Sequence, residues 1–335
     1  MPSPGPETEF RPVLLGLPFD ALTLPQALDR IFELARRPLD GTGCRIAATV
    51  NVDFIVNTYF AVKKQPRNPE LARILRRADL VVPDGMPMVW LSRLLGTPLP
   101  ERVTGADLVP LIAERAAKEK CKLYFLGGSE ESATRAAELL KSRYPGLEIE
   151  IDTPFVRLDA PDAAEKDAEI CRRINTSGAK ILLVGFGNPK QELWLERNRP
   201  QLTCGVGIGV GGTFNFLAGK VKRAPHWMRK SGTEWIYRVI QEPGRLWKRY
   251  FIGLFQFGMM ALRAVCARPR RNGAAVVPDA TSRGLTVAGR GRFSPEALQM
   301  ILRHSGGDPV RISGLTGVQR RQLRANRLAD LIREA

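Results

Sequence analysis

The stretch LVVPDGMP, Leu80 to Pro87, ends an apolar run in a carboxylate, Asp84, with prolines on both sides. A carboxylate delivered by a strand end can act as a general base when its direction is fixed. The prolines and the packed stretch MPMVWLSRLL after Asp84 supply that restriction. The competing reading is an Asp-Gly turn that caps the next helix. Nucleophilic triads and metal sites are poorly provided for: the chain has two histidines, His226 and His304, and neither has a spaced partner. The carboxylates of EIEID (148–152) alternate as on a solvated strand face.

Three glycine-containing turns form a second group: FLGGSEE (125–131), VGFGNPKQELW (184–194) and GVGIGVGGTFNF (205–216). Glycine lets backbone N–H groups approach a phosphate closely, and a following helix start adds positive potential. They predict a nucleotide-diphosphate site that includes Gly127, Gly128, Gly187, Asn188, Lys190 and Gly211. The alternative for each turn is simple tight packing of helix on sheet. Gly207, Gly209 and Gly212 satisfy GxGxxG, but a dinucleotide site also needs an acidic residue ending the next strand. The segment AGKVKRAPHWMRK follows instead, which argues against an NAD-dependent oxidoreductase or epimerase. No Asp-x-Asp pair follows a strand, so a departing diphosphate would rely on Arg, Lys and backbone donors, without metal or other cofactor.

These residues need a frame. Short apolar runs alternate with helical patterns between residues 12 and 218, the pattern of an α/β fold with a parallel sheet and helices on both faces. The expected strands are Val13 to Leu17, Arg45 to Val50, Leu80 to Val82, Lys122 to Leu126, Leu147 to Ile151, Lys180 to Val184 and Cys204 to Ile208. Asn68-Pro69 and Asn188-Pro189 predict capped helix starts, and Leu24-Pro25 and Ala160-Pro161 carry a weaker proline signal. The loops at the C-terminal strand ends share one rim, where ligands bind, and Asp84 belongs to it.

The 335 residues are 44% hydrophobic and 25% charged, which is globular composition. Five scattered cysteines (Cys44, Cys121, Cys171, Cys204, Cys266) indicate neither a disulfide framework nor a zinc ribbon and suit a reducing cytoplasm. MPSPGPETEF lacks the pattern of a signal peptide. Lys and Arg exceed Asp and Glu by 51 to 34, a net charge of +17. Between residues 220 and 271, thirteen Lys or Arg face two acids, Glu234 and Glu242. The same segment carries Trp227, Trp235, Tyr237, Trp247, Tyr250 and the run YFIGLFQFGMMAL. That run is too short to span a hydrocarbon core of roughly 30 Å. An interfacial helix on an anionic membrane suits it, the rival being a helix docked on the protein's own core. Without a nucleic-acid motif, the aromatic and apolar setting favours lipid over DNA.

The expected organisation is an α/β domain over 12–219, a basic aromatic appendage over 220–268, a linker over 269–292 and a small tail over 293–335. The tail is faintly similar to part of a STAS-type regulatory domain.

Six segments in one order carry a wider resemblance: TVN (49–51), ADLVVPDGMPMVW (78–90), ERVTGADL (101–108), LYFLGG (123–128), GFGNPKQELW (185–194) and GVGGTFNFLAGKVKRAPHWMRKSGTEWIYRVIQEPGRLWKRY (209–250). Together, over about residues 13–255, they resemble the WecG/TagA/CpsF glycosyltransferases. The resemblance implies a Rossmann-like, inverting, metal-independent enzyme. It would move N-acetylmannosamine or a related sugar from a UDP donor to a polyprenyl-diphosphate-linked N-acetylglucosamine, at the inner face of the cell membrane. It implies Asp84 as general base, and Thr49, Asn51, Arg102 and Gln191 around the reacting sugars. It also implies Arg238, Arg245 and Lys248 at the acceptor diphosphate, the lysine in place of a frequent arginine. Asn215 stands between two phenylalanines where an aspartate is expected; its amide can still hydrogen-bond a nucleoside. A homo-oligomer is left open.

Overall fold

The computed structural model describes residues 10–39, 41–63, 65–225, 227–228, 232–241, 243–279 and 284–334. The N-terminal signal-peptide reading, His226, Arg229, Lys230 and the side chain of Arg245 lie outside the described residues. Six short strands form one wholly parallel sheet: β3 (Arg45–Val50), β4 (Leu80–Pro83), β5 (Leu123–Leu126), β6 (Ile149–Asp152), β7 (Ile181–Val184) and β8 (Val206–Gly209). All but the edge strand β6 are buried throughout, as expected of apolar strands covered by helices on both faces. The order is β4-β3-β8-β7-β5-β6. The chain moves outward from β3 to β4, crosses to β5, and returns through β7 to β8 beside β3. The order therefore jumps at the β3–β8 pair near the middle of the sheet, and sheets of this kind bind ligands at their C-terminal strand ends.

Helices α1 (Leu24–Arg36), α2 (Val52–Thr58), α3 (Pro69–Arg77), α4 (Met86–Leu95), α5 (Gly105–Glu119), α6 (Glu130–Arg143), α7 (Ala163–Ser177), α8 (Lys190–Asn198) and the short α9 (Thr213–Leu217) flank the sheet. Their apolar faces build two cores, one on each side. Asn68 caps α3 as expected, its side chain accepting from Leu71 N at 2.9 Å. In α1 the cap is Thr23, with Gln26 completing a capping box. Asn188 does not cap α8: its amide turns to Glu192 instead. Nor does α7 begin at Pro161; it starts at Ala163.

Residues 13–17 are not a strand of the main sheet. They make a hairpin, β1 (Val13–Leu14) and β2 (Leu17–Pro18), because Leu15 and Gly16 both adopt positive φ at its tip. A Cβ on Gly16 would lie 2.5 Å from the Arg327 carbonyl oxygen, so glycine is required where the C-terminal part of the chain presses on the hairpin.

After α9 come α10 (Glu234–Gln241) and the 24-residue α11 (Pro243–Cys266). The apolar run divides between two faces of α11. Phe257, Met260 and Ala264, spaced three and four apart, join the core on α2, as the docked-helix reading expects. Trp247, Phe251, Ile252, Phe255 and Leu262 face outward. Among the described residues no helix is long and apolar enough to cross a membrane.

The expected linker contains structure. β9 (Ala275–Pro278) and β10 (Gly284–Ala288) pair antiparallel, and β10 continues in parallel to β11 (Val310–Ser313) and β12 (Ile332–Glu334). Helices α12 (Pro295–Ser305) and α13 (Gly317–Ala325) connect them over a separate small core centred on Phe293, Leu298 and Ile301. This unit grips the α/β domain through Arg76. The buried guanidinium donates to both Asp330 oxygens, at 2.7 and 3.0 Å, and to the carbonyls of Gly16 and Arg327. Arg327 reaches back to the carbonyls of Ala61 and Lys63, both at 2.7 Å.

Candidate active site

The candidate site is built from strand ends. β3 ends in Val50 and hands the chain to Asn51, whose side-chain oxygen caps α2 by accepting from Asp53 N and Phe54 N. That cap leaves the amide NH2 to donate to the Asp84 carboxylate. Asp84 itself leaves β4 with its N–H on the Val50 carbonyl at 2.9 Å. It is followed by Gly85, so it does not cap α4. Burial and the nearby Glu234 carboxylate push the Asp84 carboxyl up to about 7, against the pull of Arg102, Arg238 and the Asn51 amide. A carboxylate titrating near neutral pH, held at a fixed angle at a strand end, is suited to general-base work.

Arg102 precedes α5 and donates to Glu234 of α10 at 2.9 Å, with Asp107 3.9 Å away. Arg223 pairs with the other oxygen of Asp107 at 2.8 Å. The appendage is thereby tied to the rim by alternating charges. Arg238, one turn beyond Glu234, lies over the Phe216 ring at 5.0 Å. Its buried Nε has no hydrogen-bond partner among the described residues. Tyr250 of α11, its hydroxyl pKa raised by burial, feels the charges of Arg238, Asp53 and Asp84. Arg249 beside it binds Asp53 at 2.6 Å.

The floor is Thr49 and Gln191. Thr49 is buried and donates to the Gly209 carbonyl at 3.3 Å. Gln191 Oε1 accepts from Gly187 N at 3.1 Å and Gly211 N at 3.0 Å, bridging the loops after β7 and β8. Its Nε2 donates to Glu192 Oε1 at 2.7 Å, and Asn188 donates to Oε2 at 2.9 Å. Asn57 of α2 in turn donates to Asn188 at 2.7 Å. Glu192 is thus a buried carboxyl held by amides, with no cation paired to it among the described residues, and burial pushes it up to about 7. Gly209 makes room for it: a Cβ there would fall 2.3 Å from Gln191 Nε2 and 2.6 Å from Glu192 Oε1.

The glycine turns carry hydrogen bonds within the chain. The N–H groups of Gly187 and Gly211 are occupied by Gln191, and that of Gly127 by the Asp152 carbonyl at 2.7 Å. Those amides brace the loops from within the chain. Gly127 and Gly128 pack against the rings of Phe186 and Phe214, and Gly207 of the GxGxxG pattern packs against Leu195. Lys190 stands over Phe186 and Phe155, at 5.3 and 5.7 Å. Asn215 is exposed on α9 at the same rim. Lys248 is exposed and rests over its neighbour Trp247. Among the described residues, no three His, Cys, Asp or Glu side chains group as metal ligands.

Thr49, Asn51, Asp84, Arg102, Gln191 and Arg238, drawn from five separate segments, therefore gather around the C-terminal strand ends. Sequence reasoning missed Glu192, Arg223, Glu234 as a partner of Arg102, and Tyr250. Glu234 carried a signal, being one of only two acids in the basic segment 220–271. Glu192 carried none, because it follows Lys190 and Gln191 at what reads as an exposed helix start.

The model of the glycosyl transferase WecG/TagA/CpsF family matches residues 12–271. An N-acetylglucosaminyldiphosphoundecaprenol N-acetyl-beta-D-mannosaminyltransferase of Bacillus spizizenii is 32% identical over 184 residues, 55% of this chain and 68% of that protein. The protein of the same name from Staphylococcus aureus strain MW2 is 29% identical over 244 residues, 73% of this chain and 90% of its own length. With a family match that spans the whole candidate site and the appendage, the chain belongs to the WecG/TagA/CpsF family of glycosyl transferases.

Proposed function

We propose that the protein transfers a hexosyl residue, N-acetylmannosamine or a close relative, from a UDP donor to N-acetylglucosamine linked to a polyprenyl diphosphate, with inversion. The observation that carries this reading is the Asp84 carboxyl at the strand-end rim, aimed by Asn51 and flanked by Arg102 and Arg238. In its ionised form Asp84 takes the proton of an acceptor hydroxyl as that oxygen bonds to the anomeric carbon. The bond from that carbon to UDP breaks on the opposite face, and the electron pair leaves with the diphosphate. Thr49 and Gln191 hold the sugars from below, while Lys190 and Asn215 stand on the rim where the nucleotide would lie. Arg238, with an Nε unpartnered among the described residues, is the cation suited to hold the acceptor's diphosphate. The relatives named above act on a lipid-borne acceptor, and the outward apolar face of α11 suits an enzyme working peripherally at the inner face of the membrane.

The test is incubation with UDP-N-acetylmannosamine and other UDP-sugars, together with a short polyprenyl-diphosphate N-acetylglucosamine, read by mass spectrometry. Gain of one sugar on the lipid is expected. Release of UDP without a disaccharide product would refute the transfer reading.

A further inference from the structure

The outward face of α11 does not end in open surface. Val62, Phe251, Ile252, Phe255 and Met259 line a groove of about 390 Å³ between α11 and the loop after α2. Phe251, Phe255 and Val62 are 70%, 64% and 67% exposed, a contiguous apolar cluster that nothing in the chain covers among the described residues. Lys63 and Arg67 stand at its rim, 4.6 and 5.0 Å from the Phe60 ring centre. The amide oxygen of Gln256, on the groove wall, is buried without a hydrogen-bond partner among the described residues.

The groove is continuous with the active site. α2 starts just after Asn51, which touches Asp84, and finishes at Thr58, two residues before Phe60. Alongside it, Arg249 of α11 binds Asp53, Tyr250 feels the charge of Asp84, and Phe251 and Ile252 come next in the helix. The seam between α2 and α11 therefore runs from the reacting carboxylate to the groove. Seven residues of α2 span about 10 Å at roughly 1.5 Å per residue, about the reach of a sugar and a diphosphate in line. A chain leaving an acceptor diphosphate held near Arg238 arrives at Phe251 and Phe255. The rim cations lie where that chain would pass into an anionic headgroup layer.

We infer that this groove binds the first isoprene units of the acceptor's polyprenyl chain, an inference that rests on the transferase reading above. Bilayer acyl chains are the competing occupant, and the experiment separates the two by removing the bilayer. Transfer is measured in solution with N-acetylglucosamine diphosphate esters carrying a methyl, a geranyl or a farnesyl group. The parent protein is compared with Val62→Ser and Phe255→Ser singly and together. For the parent, KM falls by at least about tenfold from methyl to farnesyl, as burial of branched C5 units requires. In the double variant that gain is lost, while kcat and KM for the methyl ester stay within about twofold of the parent, which also reports an intact fold. A parent KM indifferent to chain length overturns the inference. So does a double variant that keeps the full gain but loses flotation on anionic vesicles, because the face then serves only the bilayer. Absence of transfer to every ester by the parent would overturn the transferase reading itself, and the groove with it.

Discussion

Replacing Asp84 by Asn should abolish most turnover and at the same time make the protein more stable, by an amount that grows with pH. The carboxyl stands at about 7 in the folded chain, against an ordinary value of 3.8. Between those values the native state binds more protons than the unfolded one, so stability falls as pH rises through that window. The loss is complete above pH 7. At 1.36 kcal/mol per unit, the full displacement corresponds to about 4 kcal/mol at pH 8 and about 2 kcal/mol at pH 5.5. Asparagine keeps the shape and can still meet the Asn51 amide, but it carries no charge. Urea unfolding of the parent and Asp84→Asn at both pH values should show the variant ahead, with the gap about 2 kcal/mol wider at pH 8. Initial rates in the same buffers should show a fall of roughly 10²-fold or more for the variant, as for loss of a general base. The parent's kcat/KM should climb with pH through a midpoint near 7. A variant less stable than the parent at pH 8, or one that turns over at near-normal rate, would refute the reasoning.

Three other perturbations test the surroundings. Glu234→Gln removes the carboxylate that helps raise Asp84 and frees Arg102 to lower it, so the acidic limb of the pH–rate profile should move to lower pH. Glu192→Ala leaves the amides of Gln191 and Asn188 without their acceptor, at about 1–3 kcal/mol for each buried group. Denaturant unfolding should register that loss, and calorimetry should show weaker UDP binding because the Gly187 and Gly211 loops are no longer held. Asp330→Ala strips the carboxylate from Arg76, whose side chain is only 2% exposed. A loss of about 3–5 kcal/mol in urea unfolding is expected, since a buried guanidinium is left unpaired.

What the sequence disclosed follows from how local each signal is. A buried parallel strand is a short apolar run, and all six central strands were legible within a few residues. Asp84 was legible for the same reason, because a polar residue ending such a run must lie on the ligand rim. The glycine turns were half legible. Glycine reports a positive φ or a close approach, but not what its N–H binds, and the acceptor for Gly211 is Gln191, twenty residues away. The stretch 269–292 misled because Arg, Gly and Pro read as a linker. β9 and β10 are short, and their pairing in a sheet depends on β11, which lies beyond α12. Lys248 was placed by resemblance alone, and its position on α11 turns it outward to Trp247.

The C-terminal unit bears on the chemistry through α11. That helix is tied near its start by Arg249 to Asp53, and near its end by Arg263, which donates to the Ala61 carbonyl at 2.6 Å. Arg327 of the C-terminal unit takes the same Ala61 carbonyl at 2.7 Å, while Arg76, on α3, is held by Asp330. The 60–63 loop is therefore clasped from both sides, by the appendage and by the C-terminal unit. Because α2 joins that loop to Asn51, the clasp fixes the far end of the element whose near end aims Asp84. A charge removed at Asp330 acts on the site only by loosening this chain of contacts, so its effect on turnover should appear in KM for the lipid acceptor before kcat. The pH midpoint set at Asp84 should stay where it is.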